Sequence, residues 1–298
     1  EFAHDHVRQA AYALLPRQQR RATHLAIGRL LLARASQDMR GEQLFAIADQ
    51  FDEGFGLIDD EEERLQLVTR NLAAGQKARR TGAYRPAIRY LSMVIGLLPP
   101  DRWQKHTELT RQLFVESAEA EYLSTNYERA ELLVAEALQE TRERATRDRL
   151  GELRIQLYTA QNRNAEALAA GQQALAELGL PSPLSALPGD GDDARALAAA
   201  CAADAAANPL EMRDTGLLAG MRLMMRMTVA AQRTRPTALV ALVARMVELT
   251  RQHGNSPLAV FAYARLAALS CCDDVATASL LAHRAQALLE RHRTPEME

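Results

Sequence analysis

The sequence is poor in the residues that build sheets, staples and basic surfaces. Aromatics make up 5% of its 298 residues, and glycine (15) and proline (11) are sparse. Only two lysines occur, Lys77 and Lys105, so nearly every cation is an arginine. Three cysteines, Cys201, Cys271 and Cys272, are too few and too badly spaced for a disulfide framework or a zinc site. The vicinal pair Cys271–Cys272 reads as two small apolar residues near a helix end. No stretch of some 18 apolar residues appears, which excludes a membrane span and implies a cytoplasmic setting. The first residues, Glu1-Phe2-Ala3-His4-Asp5-His6, lack the basic start and apolar run of a signal peptide. They lack an initiator methionine as well, so the chain is expected to be a piece of something larger. Formal net charge is −2, with 36 basic against 38 acidic residues. That balance gives no broad field for nucleic acid or anionic lipid, and neither is expected as a partner.

What is abundant is alanine, leucine and helical periodicity. Apolar residues reach 48% of the chain, enough to build a core. No run alternates with period two among β-branched residues, so strands are not expected. Leu239, Leu242, Val243, Met246 and Leu249 fall on one helical face, and so do Leu217, Leu218, Met221, Met224, Met225 and Thr228. Breakers recur at Pro16, Gly41, Gly54-Phe55-Gly56, Pro99-Pro100, Asn126, Asn162, Pro209, Pro236 and Pro257. They divide the chain into about fourteen helices. One longer Pro/Gly segment, residues 181–193, is expected as a surface loop between two parts of the array.

Unequal helical pairs raise the question of an internal repeat. A tetratricopeptide unit of about 34 residues wants small residues at positions 8 and 20, a bulky one at 24 and often proline at 32. Counted from Val68, these positions hold Gly75, Ala87, Leu91 and Pro99, a full match. From Arg111 they hold Ala118, Ala130, Val134 and Arg142; from Asp148 they hold Ile155, Ala167, Gly171 and Gly179, a poor match beyond Ala167. A last pair, residues 257–292, turns Ala278 and Ala285 toward a preceding helix. The expected fold is all-α: an α-α superhelix of degenerate tetratricopeptide-like hairpins. Residues 1–58 form a helical tail and connector, 59–180 the first part, 181–193 the loop and 194–298 the second part.

Catalytic signatures are missing. There is no Gly-x-x-x-x-Gly-Lys-Ser/Thr loop, no Gly-x-Gly-x-x-Gly, no His-Glu-x-x-His and no Gly-x-Ser-x-Gly. This segment alone is therefore not expected to be an enzyme, and no catalytic residue is assigned. His4 and His6 lie two apart and point to different sides of a helix, which makes a poor chelate, so no metal site is expected. The acidic run Asp59 to Glu63 sits where negative charge complements a helix start. Glu116, Glu119, Glu121, Glu128 and Glu131 flank a turn and read as a solvated face, with a groove for a basic partner as the other reading. Arg17, Arg20 and Arg21 form a small cluster without the aromatics of a nucleic-acid surface. Six of the nine methionines lie between Met212 and Met246, on the apolar stripe, and read as core.

Several blocks carry a family resemblance. Phe2-x-His4-Asp5-x-Val7-x-Gln9-Ala10-Ala11-Tyr12 resembles the "F-x-H-D-x-V-Q-Q-A-A-Y" segment of very large bacterial signalling proteins. Arg21 to Leu32, Leu44 to Phe51, Asn71 to Ala78, Glu116 to Leu123 and Gln252 to Tyr263 are similar to further blocks of the same proteins, in the same order. That family joins a serine/threonine kinase domain, an AAA-type ATPase of the STAND class, a long helical region and often GAF and histidine-kinase modules. The resemblance implies a non-catalytic sensor and scaffold region for signal transduction. It would bind a protein or peptide on a concave face and act on the other domains of its polypeptide. ATP or ADP would belong to an upstream domain, with no cofactor in this segment. His4 and Asp5 match a pair that senses ADP at the end of that ATPase's winged-helix part, although Ala3 departs from the bulky residue preceding it. A second reading is the middle region of a STAND ATPase-linked transcriptional regulator. Oligomeric state is left open.

Overall fold

The computed structural model describes residues 12–34, 41–184, 210–272 and 274–292, together with Ala10 and Ala199. Among these residues every regular element is helical, and the one β-type contact is an isolated bridge between Glu211 and Asn255. The chain forms two compact units, residues 1–142 and 143–298.

The first unit contains α1 (Arg17–Arg34), α2 (Gly41–Gly54), a 3-10 turn (Phe55–Leu57), α3 (Glu61–Arg80), α4 (Tyr84–Ile95), the single turn α5 (Arg102–Lys105), α6 (Thr107–Leu123) and α7 (Tyr127–Glu140). Neighbours in sequence pack as hairpins: α1 on α2, α3 on α4, α6 on α7. The acidic run starts α3 as charge and capping demand. Asp60 is the N-cap, its carboxylate accepting the Glu63 amide at 2.7 Å, and Glu61 to Glu63 fill the first turn.

The α3–α4 pair shows why the small positions matter. A methyl group on Gly75 would lie 2.5 Å from Leu91 Cγ, so only glycine lets the helices approach this closely. Ala87 and Leu91 are completely buried beside it. In the next pair Ala118, Ala130 and Val134 are buried in the same way.

The second unit contains α8 (Arg144–Ala160), α9 (Asn164–Glu177), α10 (Thr215–Thr234), α11 (Pro236–His253), α12 (Pro257–Ser270) and α13 (Val275–His292). Pro236 and Pro257 occupy the first turns of α11 and α12, where a missing amide costs nothing. At the third pair, where the repeat pattern asks for bulk and the chain has Gly171, the thioether of Met227 on α10 fills the space. Met221, Met224, Met227 and Met246 are all fully buried in one core with Ile155, Leu175, Leu242 and Tyr263. The methionine cluster is core. Helices on both sides of the Pro/Gly segment share this core, and the chain divides into compact units at Arg142–Glu143. Of that segment, residues 185–193 lie outside the described residues.

The repeat is clearest in the turns. Gly82 (φ +76°), Thr125 (φ +63°) and Asn162 (φ +60°) each hold the left-handed conformation that ends a helix. After each comes the same closing bond: Ala83 N to Ala78 O at 2.9 Å, Asn126 N to Glu121 O at 2.9 Å, and Arg163 N to Tyr158 O at 2.8 Å. The small position follows five residues later every time, at Ala87, Ala130 and Ala167.

Candidate functional site

A cleft of about 510 Å³ opens in the first unit, between the start of α3 and the connection from α4 to α5. Its floor is apolar: Leu65 and Val68 from α3, then Leu97, Leu98, Pro99 and Pro100 from the connection. The two prolines cannot continue α4 and turn the chain across the end of α3. The rim is charged, with Asp59, Glu61 and Asp101 against Arg64 and Lys105. Lys105 is committed to Asp101 at 2.7 Å, and Arg64 donates through Nε to the Ile58 carbonyl at 2.7 Å. The Lys105 partner holds the Asp101 carboxyl below its usual range. Asp59 and Glu61 are left facing solvent at the mouth, with the His106 ring 4.0 Å from Glu61. The lining carries neither hydroxyl, thiol nor imidazole. Such a set suits a ligand with an apolar body and a charged end.

Elsewhere in this unit, α2 and α4 are tied by a polar cluster that runs from an exposed ion pair to a buried carboxyl. Arg89 contacts Asp49 at 2.5 Å, and Tyr90 donates to the same carboxylate at 3.0 Å. Burial, reinforced by the Asp49 hydrogen bond, pushes the Tyr90 phenol up to about 12. Asp52 lies one turn on, its side chain only 8% exposed. Both its carboxyl oxygens lack a hydrogen-bond partner, and Arg89 comes no nearer than 4.0 Å. Desolvation raises this carboxyl to about 7, with Arg89 and the Asn71 amide opposing the shift.

The acidic residues around Asn126 are not a solvated face throughout. Glu116 and Glu121 are buried. Arg79 of α3 reaches Glu116 at 2.9 Å and Glu119 at 3.2 Å, and Asn126 donates to Glu121 at 2.7 Å. These carboxylates lock α3 to α6 and brace the α6–α7 turn; the reading as exposed charge fails because a cation on a neighbouring helix pairs with them. Glu128 is exposed and Glu131 half-buried.

His4 and Asp5, the ADP-sensing candidates, lie outside the described residues, as do His6 and Cys201. Cys271 and Cys272 are both exposed where α12 ends, with their sulfurs 3.9 Å apart. Among the described residues no group of three or more His, Cys, Asp or Glu side chains could hold a metal ion, and no helix is long and apolar enough to cross a membrane. The cleft and the Asp52 environment escaped sequence reading. Both depend on which helix ends meet in space, and the nearest signal, Pro99-Pro100 followed by Asp101, reads locally as a turn.

No protein-family model matches the sequence, and no solved structure matches it. Over 190 aligned residues the chain is 28% identical to hybrid signal transduction histidine kinase G of Dictyostelium discoideum. That alignment takes in 54% of this chain and 5% of the kinase, so the chain spans a small part of the relative's length. The similarity is to a signal-transduction kinase.

Proposed function

We propose that this chain is a non-catalytic sensor and scaffold region of a multidomain signal-transduction kinase. The similarity to a hybrid histidine kinase carries the reading. The apolar cleft with a charged rim supports it, since such a site suits a bound segment with an apolar body and a charged end. In this reading the repeated hairpins stack as a tetratricopeptide-like superhelix. The identical left-handed turns and buried small positions support that arrangement. Catalysis and ATP binding belong to other domains of the parent polypeptide, in the cytoplasm, and His4 and Asp5 report ADP occupancy of an attached STAND-type ATPase. The sensor region takes a peptide or protein segment and biases the attached domains between two states by binding one of them more tightly.

The test is phosphotransfer in the parent kinase carrying Asp59→Lys with Glu61→Lys. Both side chains are exposed, so the helix start tolerates the change apart from the capping charge. The stimulus-dependent change in phosphotransfer should fall severalfold. A response equal to that of the unaltered kinase would overturn the proposal.

A further inference from the structure

The outer face of α1 leaves Ile27, Leu30 and Leu31 exposed and carries a pattern that names a partner. The inner face of the helix is used: Leu25 and Gly28 are buried, and Gly28 lies so close to Phe51 that a methyl there would sit 3.0 Å from its ring. The opposite side shows a second stripe. Arg20, Thr23, Ile27, Leu30 and Arg34 recur at intervals of three and four residues, the spacing of a coiled-coil seam. Leu30 is 59% exposed, and Ile27 and its neighbour Leu31 are exposed too. An exposed seam of this kind on an otherwise folded helix is unusual, because a helix pairs its apolar stripe or lacks one.

Charge completes the pattern. α1 has five arginines and neither aspartate nor glutamate. Arg29 is taken by Glu63 of α3 in a two-pronged contact at 2.7 Å. Arg17, Arg20 and Arg34 make no ion pair among the described residues, although the Arg20 guanidinium stands 5.3 Å from the centre of the Tyr12 ring. Arg20 and Arg34 therefore close the two ends of an apolar centre. A lipid surface is disfavoured by this order, since both ends of the face that would enter the bilayer carry an arginine.

We propose that the outer face of α1 docks an amphipathic helix of a partner, one with apolar residues at heptad spacing and acidic residues in its terminal turns. Leu30 and Ile27 supply the centre, and Arg20 and Arg34 meet the acidic ends. The arginines at both ends accept the partner in either direction. This surface lies on α1 and stands apart from the α3–α5 cleft, so it holds or fails independently of the function assigned there.

The test uses the full chain and two synthetic helix-forming peptides of about three heptads. Both have leucine at the central a and d positions; one has glutamates in its terminal turns and the other has lysines there. Fluorescence anisotropy should show the glutamate peptide binding at least about tenfold more tightly than the lysine peptide. Leu30→Asp should remove binding without changing the melting temperature, because the side chain is exposed. Arg20→Glu with Arg34→Glu should reverse the preference between the peptides. Equal binding of the two peptides, no binding of the glutamate peptide, or binding untouched by Leu30→Asp would each overturn the proposal. So would a Leu30-dependent self-association, or capture by anionic phosphatidylserine vesicles with no peptide binding.

Discussion

Asp52 is the residue whose environment most departs from what its type prefers. A carboxylate with no hydrogen bond and a guanidinium 4.0 Å away is costly to ionise, and its folded value of about 7 stands far above the ordinary 3.8. Below the ordinary value both the folded and unfolded chains hold the proton. As pH rises from about 4 to about 7 the unfolded chain releases it first, so folding loses stability across that window and levels off above it. Asp52→Asn, which keeps the shape and cannot ionise, should flatten this dependence. Its effect on stability should be more favourable at pH 8 than at pH 5 by about 1–3 kcal/mol, because the unfolded carboxyl ionises well before the folded one. Denaturant titrations at pH 5 and pH 8 check this. Equal pH dependence in the two proteins would show that Asp52 ionises freely in the fold. Nothing in the sequence marks this carboxylate, which is one of six acidic residues from Glu42 to Asp60. The groups that oppose its shift, Asn71 and Arg89, stand on two other helices.

At the scale of the helical pair, local chemistry was much more legible. Gly75, Ala87, Leu91 and Pro99 are readable as a small, small, bulky, breaker pattern, and the α3–α4 hairpin uses each in that role. A pattern fails where another helix takes over a job, as Met227 does beside Gly171. It fails again where pairing crosses hairpins, as for Arg79 with Glu116. The contact at Gly75 makes a signed prediction. Gly75→Ala gains roughly 1 kcal/mol of helix propensity. The new methyl, 2.5 Å from Leu91 Cγ in a side chain with no exposure, costs more than that. Overpacking of this sort destabilises by about 1–3 kcal/mol, so the net change should be a loss. With Leu91→Ala already present the clash is gone, and Gly75→Ala should turn stabilising. A double-mutant cycle measured by urea unfolding reads the sign change. The same sign on both backgrounds would mean that the α3–α4 pair yields elsewhere.

For the molecule as a whole, composition foretold helices and breaker spacing foretold their ends, but the grouping of helices follows the cores. A proline- and glycine-rich stretch looks like a border because it cannot be helix. Whether it divides a protein depends on what its flanking helices bury, and α9 and α10 bury Leu175 and Met227 in one core. Residues 143–298 have that core to themselves, built on Met221, Leu223, Leu242, Met246, Tyr263 and Leu281. Expressed alone, 143–298 should be helical by circular dichroism and unfold in a single cooperative transition. A fragment beginning at residue 194 lacks α8 and α9. It uncovers the α10 methionines, a surface large enough to drive association. That shorter piece should bind a hydrophobic dye, sediment as aggregates or lose its cooperative melt. A cooperative, monomeric 194–298 would place the border at the loop after all, and would require α10 to α13 to close a core without Ile155, Ala167 or Leu175.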